Sequence, residues 1–177
     1  MKKILFLAAV LANFVFAKDM FIFDIKADLL DPKTKEVVGE IYEGTPVKFI
    51  KQEGDLSLIE VSGEVTDNKN ILAYKKDPLI TFLMLKNQEA KPKAQYLIDS
   101  KKLNENSYAS WEEAELVYYD TCSSCHAAHK PKEHLMNEWD AYLTAMQTFA
   151  KISDEEKARI LRFMQAFAKD GIAKEED

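Results

Sequence analysis

The sequence predicts an α+β chain, in which a small β-barrel is followed by an all-α domain. Short apolar runs alternate with turns containing glycine and aspartate over residues 20–63, a spacing typical of a small barrel or sandwich. After residue 110 the apolar residues instead recur at intervals of three and four, which indicates amphipathic helices. The length of 177 residues allows one domain or two small ones.

The first seventeen residues have the pattern of a secretory signal peptide. Lys2 and Lys3 form the charged start, an apolar run covers residues 4–16, and the small residue Ala17 marks the expected cleavage point. The run is shorter than the ~20 residues that a membrane-spanning helix needs. We therefore expect an exported, soluble mature chain in the periplasm, without stable membrane insertion.

Residues 18–88 are expected to form the β domain. The predicted strands cover residues 20–23, 37–42, 47–50 and 56–61. Residues 27–31, 37–41 and 44–48 resemble the bacterial SH3-like domains, which combine a strand and a turn with G-x-(V/I) and G-T-x-V strands. The resemblance implies an SH3-like β-barrel.

Residues 89–109 are polar, and we expect an irregular linker there. The helical domain should then occupy residues 110–177. Its predicted boundaries are a capping box at Ser110, an N-cap at Asn137, a second capping box at Ser153 and a helix stop at Gly171.

One short motif in this part carries chemistry. Cys122, two serines, Cys125 and His126 make a complete C-x-x-C-H, the attachment signature of a c-type haem. Two thiols three residues apart can reach the two vinyl groups on one edge of a porphyrin, and the adjacent imidazole can bind the iron. The sequence therefore predicts one covalently bound haem c with His126 as an iron ligand.

Three other interpretations of the cysteines remain open at this point. A thioredoxin-like redox pair would need a βαβ unit around the motif, whereas the preceding segment has a helical pattern. A zinc site could use both cysteines with two of His126, His129 and His134. A simple disulfide between Cys122 and Cys125 is the third.

Met146 is the predicted second axial ligand of the iron. It shares the apolar face of the second predicted helix with Trp139, where a methionine more often serves only for packing. A low-spin electron carrier needs a second axial ligand, however, and a thioether raises the potential. The other candidates are His129, His134, Met136 and Met164.

Residues 111–170 resemble the C-terminal monohaem domain of the TorC-type cytochromes. The resemblance is carried by the run 122–131, which contains C-x-x-C-H-x-x-H-x-P, then Trp139, Met146 and the helix 152–170. It implies a cytochrome c-like all-α haem domain with thioethers at Cys122 and Cys125 and axial ligands His126 and Met146. TorC-type cytochromes pass electrons to trimethylamine-N-oxide reductases and other S- or N-oxide reductases.

These observations predict a periplasmic, monohaem electron-transfer protein of anaerobic respiration, and not an enzyme. The expected donor is a quinol-oxidising cytochrome complex, and the expected acceptor is a periplasmic molybdenum S-/N-oxide reductase. Two alternatives are a haem-based sensor or haem enzyme with an open distal position, and a haem-free interaction module. The net charge of -6 argues against nucleic acid as a partner, since phosphate binding needs excess lysine and arginine.

Overall fold

A computed structural model describes residues 18–77 and 79–174. The signal peptide predicted at 1–17 lies outside the described residues. The strands are β1 (Lys18–Ile22), β2 (Lys26–Leu30), β3 (Val37–Tyr42), β4 (Pro46–Glu53), β5 (Leu56–Ser62), β6 (Glu64–Val65), β7 (Ile71–Lys75), β8 (Leu79–Leu85), β9 (Lys93–Asp99) and β10 (Leu103–Asn104). The helices are α1 (Glu112–Cys122), α2 (Trp139–Ala150) and α3 (Asp154–Ala166).

The strands form one antiparallel sheet in the order β10-β1-β4-β5-β9-β2-β3-β8-β7-β6. β9 lies in the middle of this sheet. It pairs with β5 from Leu56↔Asp99 to Ser62↔Lys93, and with β2 at Leu30↔Leu97. β9 therefore joins a group of four strands to a group of five, and without it β5 and β2 would have free edges.

Alternating burial in the strands produces the core of the sheet. In β5, for example, Ile59 and Val61 are fully buried while Leu58 and Glu60 are only partly covered. One buried cluster contains residues from both halves of the sheet. Its members include Ile22, Val47, Ile59 and Ile98 from one half and Leu29, Ile41, Leu72 and Leu83 from the other.

The helices cover one part of the sheet and share a second core with it. α1 and α2 both pack against α3, which lies on β8. Ile80 and Phe82 of β8 belong to the same buried cluster as Trp111, which immediately precedes α1, and Phe163 of α3. The backbone N–H of Ile80 also donates a hydrogen bond of 2.8 Å to Oε1 of Gln165.

The predicted fold class is wrong. The chain is mostly a large antiparallel sheet with three short helices, not a small SH3-like β-barrel followed by an all-α cytochrome c-like haem domain. The strands extend beyond the predicted β region because β9 and β10 lie within 89–109, where an irregular linker was expected. The helices do not close an all-α core, since side chains of β8 complete it.

The helix boundaries agree with the sequence in part. Ser153 forms the predicted capping box, with reciprocal hydrogen bonds to Glu156. Ser110 does not cap α1; its hydroxyl donates to the carbonyl of Asn106, and α1 starts at Glu112. Asn137 lies one residue too early to cap α2, and α3 ends at Ala166, well before Gly171. No helix in the described part of the chain has the length and apolar character needed to cross a membrane.

Candidate functional site

α1 positions the two cysteines of the C-x-x-C-H motif. Tyr118 on its inner face is buried in the helical core, so the end of the helix at Cys122 is held against α3. Cys122 is half-buried, and burial raises the pKa of its thiol. Cys125 lies in the exposed turn that follows. Both thiols are free, so the disulfide interpretation does not describe this structure.

The imidazole of His126 is exposed, and one of its nitrogens has a backbone partner. Nδ1 lies 2.9 Å from the carbonyl oxygen of Ala127. A carbonyl oxygen can only accept a hydrogen bond, so this contact places the ring proton on Nδ1 and leaves the lone pair of Nε2 free. Histidines that bind metals usually have this arrangement, in which the second nitrogen donates to a carbonyl or carboxylate. His126 is therefore oriented as a metal ligand.

α2 carries a stripe of exposed apolar side chains near the motif. Tyr142, Met146 and Phe149 follow one another at helical spacings of four and three, and they are 46%, 45% and 77% exposed. The sequence predicted one apolar face containing Trp139, Tyr142, Leu143 and Met146, but only Trp139 and Leu143 are buried in the core. The stripe lies beside that buried face; Tyr142 and Met146 are about half exposed, and Phe149 is mostly exposed.

A row of ring contacts connects the motif with this stripe. The ring centroids of His126 and His129 are 6.4 Å apart, and those of His129 and His134 are 5.8 Å apart. His134 in turn lies 4.3 Å from the ring of Tyr142. This row of rings links the motif to Tyr142, at the start of the exposed stripe. The donor set of two free thiols, an imidazole with a free Nε2 and the thioether of Met146 on that stripe fits a c-type haem.

The other two methionines proposed as iron ligands are placed differently from Met146. Met136 and Met164 are both fully buried in the core that the helices share with β8. Neither thioether can reach a group on the surface without unpacking this core. Met146 is the accessible one of the three, and its role as an iron ligand stays a prediction.

His129 and His134 belong to a second cluster, which the sequence showed only in part. Nδ1 of His129 lies 2.7 Å from Oε2 of Glu133, and this hydrogen bond lowers the pKa of the Glu133 carboxyl. Glu133 was not identified from the sequence as a partner of His129, although residues four positions apart often form such ion pairs or hydrogen bonds. The predicted zinc site differs from this cluster, which contains neither Cys122 nor Cys125.

Comparison with known proteins finds distant relatives. The chain is 23% identical over 176 residues to the "Cytochrome c-type protein TorC" of Escherichia coli O157:H7 and to that of Escherichia coli strain K12. Each match covers 88% of this chain but 45% of the relative, so the chain spans less than half the length of these curated proteins.

Other comparisons add no closer assignment. No protein-family model matches the chain, and no solved structure matches it. The two matches to TorC support the resemblance to the TorC-type cytochromes as a distant similarity.

Proposed function

We propose that this protein is a monohaem c-type cytochrome that transfers one electron at a time. The observation that carries the proposal is the C-x-x-C-H motif, in which both thiols and Nε2 of His126 are free for bonding. The distant similarity to the two TorC proteins supports the same interpretation. The proposal needs only the local motif and its apolar surroundings, and it makes no use of the cytochrome c-like fold.

Each residue of the site has a defined role in the proposal. The thiols of Cys122 and Cys125 would hold the porphyrin covalently through two thioether bonds. Nε2 of His126 would bind the iron, while the carbonyl of Ala127 keeps the imidazole proton on Nδ1. When bound, a haem c supplies one-electron redox chemistry at its iron.

Met146 is proposed as the second residue that would bind the iron. Its half-exposed thioether lies on the stripe that a haem would cover, and covering Tyr142 and Phe149 would remove large apolar surfaces from water. Ligation by both His126 and Met146 would leave no free position on the iron for a substrate. The protein is therefore proposed as an electron carrier and not as an enzyme.

The physiological setting is also a proposal. The signal-peptide pattern supports export to the periplasm, and the distant similarity to a cytochrome c-type protein supports electron transfer. We propose a quinol-oxidising cytochrome complex as the donor and a molybdenum S-/N-oxide reductase as the acceptor. Rapid reoxidation of the reduced protein by such a reductase with its oxide substrate would support this acceptor, and no reoxidation would refute it.

The central test is a spectrum of protein produced with a functioning haem-attachment system. We expect colour that survives acidified-acetone extraction, a c-type reduced spectrum and the weak far-red band of methionine-sulfur ligation. Intact mass should show one covalent haem and loss of residues 1–17. A colourless protein would refute the haem proposal, and a high-spin ferric spectrum that binds carbon monoxide would instead indicate the sensor or enzyme.

Two methionine variants separate ligation from packing. Met146→Ala should abolish the far-red band and lower the reduction potential, since a thioether ligand raises it. Met164→Ala is the matched control, because this side chain is fully buried. It should keep the band and lose about 2–5 kcal/mol of unfolding free energy. A Met146→Ala variant with an unchanged band would show that Met146 is not the ligand.

A further inference from the structure

We propose that His129, Glu133 and His134 form a binding site for a divalent transition-metal ion, separate from the haem-attachment residues. Each side chain offers one ligand atom, and the three atoms lie within 4.8 Å of one another. Two imidazoles and a carboxylate are a ligand set that zinc accepts, with further positions left for water. The inference does not rest on the proposed haem, since none of the three residues belongs to the C-x-x-C-H motif.

The distances between the three ligand atoms require only small side-chain movements to accommodate an ion. Zinc–nitrogen bonds of 2.0–2.1 Å in a tetrahedral site place neighbouring ligand atoms about 3.3 Å apart. His129 Nδ1 and Glu133 Oε2 are already 2.7 Å apart, and both side chains are about half exposed and free to rotate outward. His134, at 22% side-chain exposure, is the fixed member.

The packing of His134 explains why it is fixed. Its ring lies 5.0 Å from the ring of Trp139, nearly perpendicular to it, and 4.3 Å from the ring of Tyr142. Oε2 of Glu138 lies 3.9 Å from Nδ1 of His134, outside the three-residue cluster. An imidazole held between two rings loses little further freedom when it binds an ion, which favours binding.

The backbone of the loop that carries the three ligands, residues 129–134, is also held in place; we call it the histidine loop. A 3-10 turn, Pro131–Glu133, connects the two histidines, and Pro131 is buried. Hydrogen bonds from three separate parts of the helical region fix the carbonyl groups of the loop: Tyr118 Oη to His129 (2.7 Å), Trp139 Nε1 to Pro131 (3.0 Å) and the backbone N–H of Lys169 to His134 (3.0 Å). The ligand-bearing segment is therefore preorganised before any ion binds.

The test is calorimetric titration of Zn²⁺ into the full-length mature protein with its haem attached. In that protein the two thiols and His126 are already used, so they cannot supply a zinc site. We expect one ion per chain. His134→Gln and Glu133→Gln should each weaken binding at least about tenfold, since even indirect partners of a metal contribute 10–100-fold.

Glu138→Gln is the matched control, because its carboxylate lies outside the cluster and, at 3.9 Å from Nδ1 of His134, makes no hydrogen bond to that ligand. It should keep the wild-type affinity to within about a factor of five, the usual effect of an exposed charge. Glu133→Gln also protects the test against misfolding, since this exposed side chain can change without disturbing the packing of His134.

A second titration uses the double variant Cys122→Ala/Cys125→Ala, which binds no haem covalently. Retained zinc binding there would support the proposal even if the haem proposal fails. Absence of binding in the wild-type protein, or equal affinity in the wild-type protein and both ligand variants, would overturn it. Zinc binding that disappears only with the cysteines would also overturn it.

Discussion

The buried carboxylate of Glu43 forms ion pairs between the sheet and α3, and its replacement tests how much these pairs stabilise the fold. Glu43 follows β3, is 2% exposed, and accepts two hydrogen bonds of 2.7 Å from the guanidinium of Arg159 on α3. Nη2 of Arg162 lies 3.5 Å from the same carboxylate. Burial lowers the pKa of Arg162, and its buried Nε has no hydrogen-bond partner among the described residues. Glu43 is therefore the counter-charge for two guanidiniums.

Replacing Glu43 with glutamine keeps the shape of the side chain and removes its charge. Breaking a buried ion pair in this way costs about 3–5 kcal/mol, because an uncompensated charge stays in the interior. Arg159 keeps a second contact, 3.3 Å to the carboxylate of Glu113, so the lower limit applies. We expect a loss of about 3 kcal/mol, which corresponds to a melting-temperature decrease of roughly 6–12 °C for a chain of this size.

Urea unfolding followed by far-ultraviolet circular dichroism measures this loss without adding salt that would screen the charges. Glu113→Gln is the matched control, because it removes the exposed partner of the same Arg159. An exposed pair contributes about 1 kcal/mol or less. If Glu43→Gln costs no more than Glu113→Gln, the buried carboxylate does not compensate the guanidiniums, and the reasoning is wrong.

Two further predictions concern the turns of the sheet region. Gly44 and Gly54 both have positive φ, so alanine should cost about 1–2 kcal/mol at either position. A Cβ at Gly44 would also lie 2.0 Å from the indole of Trp111, whereas one at Gly54 meets nothing within 4 Å. Gly44→Ala should therefore cost roughly 1–3 kcal/mol more in urea unfolding, and equal costs would contradict this close packing.

The hydrogen bond that Asp24 accepts from the ammonium group of Lys102 lowers the pKa of Asp24. This contact stabilises the fold above the ordinary carboxyl pKa of about 4, and the benefit disappears as the pH falls through the lowered value. Unfolding free energies of the wild type and Asp24→Asn should therefore converge at low pH, and a constant difference would assign the effect to another cause.

The sequence correctly predicted those features that are formed by residues close to one another in the chain. The capping box at Ser153 and the C-x-x-C-H motif are both formed by residues within four positions of one another. Ser110 shows the limit of this reasoning. It has the same box pattern, but its hydroxyl bonds to Asn106, four residues earlier, and the helix begins later.

The central strand could not be predicted from its own residues. β9 has only the short apolar run Tyr96-Leu97-Ile98, and lysines and Pro92 surround it. Its strand conformation depends on pairing with β5, more than thirty residues away in sequence. The same applies to the histidine loop, whose backbone is held by Tyr118 of α1 and by the segment after α3. Such contacts have no local signature.

The place of β9 in the sheet has a consequence for a chain that emerges progressively from its N-terminus, whether during synthesis or during export. The chain emerges from its N-terminus, so β1 to β8 are complete before the strand that joins their two groups exists. Until residue 99 has emerged, β5 and β2 each present an open edge with unpaired backbone groups. Open edges of this kind recruit strands from other chains. The nascent protein is therefore most prone to aggregation just before β9 emerges, and a binding chaperone would protect it most effectively at that stage.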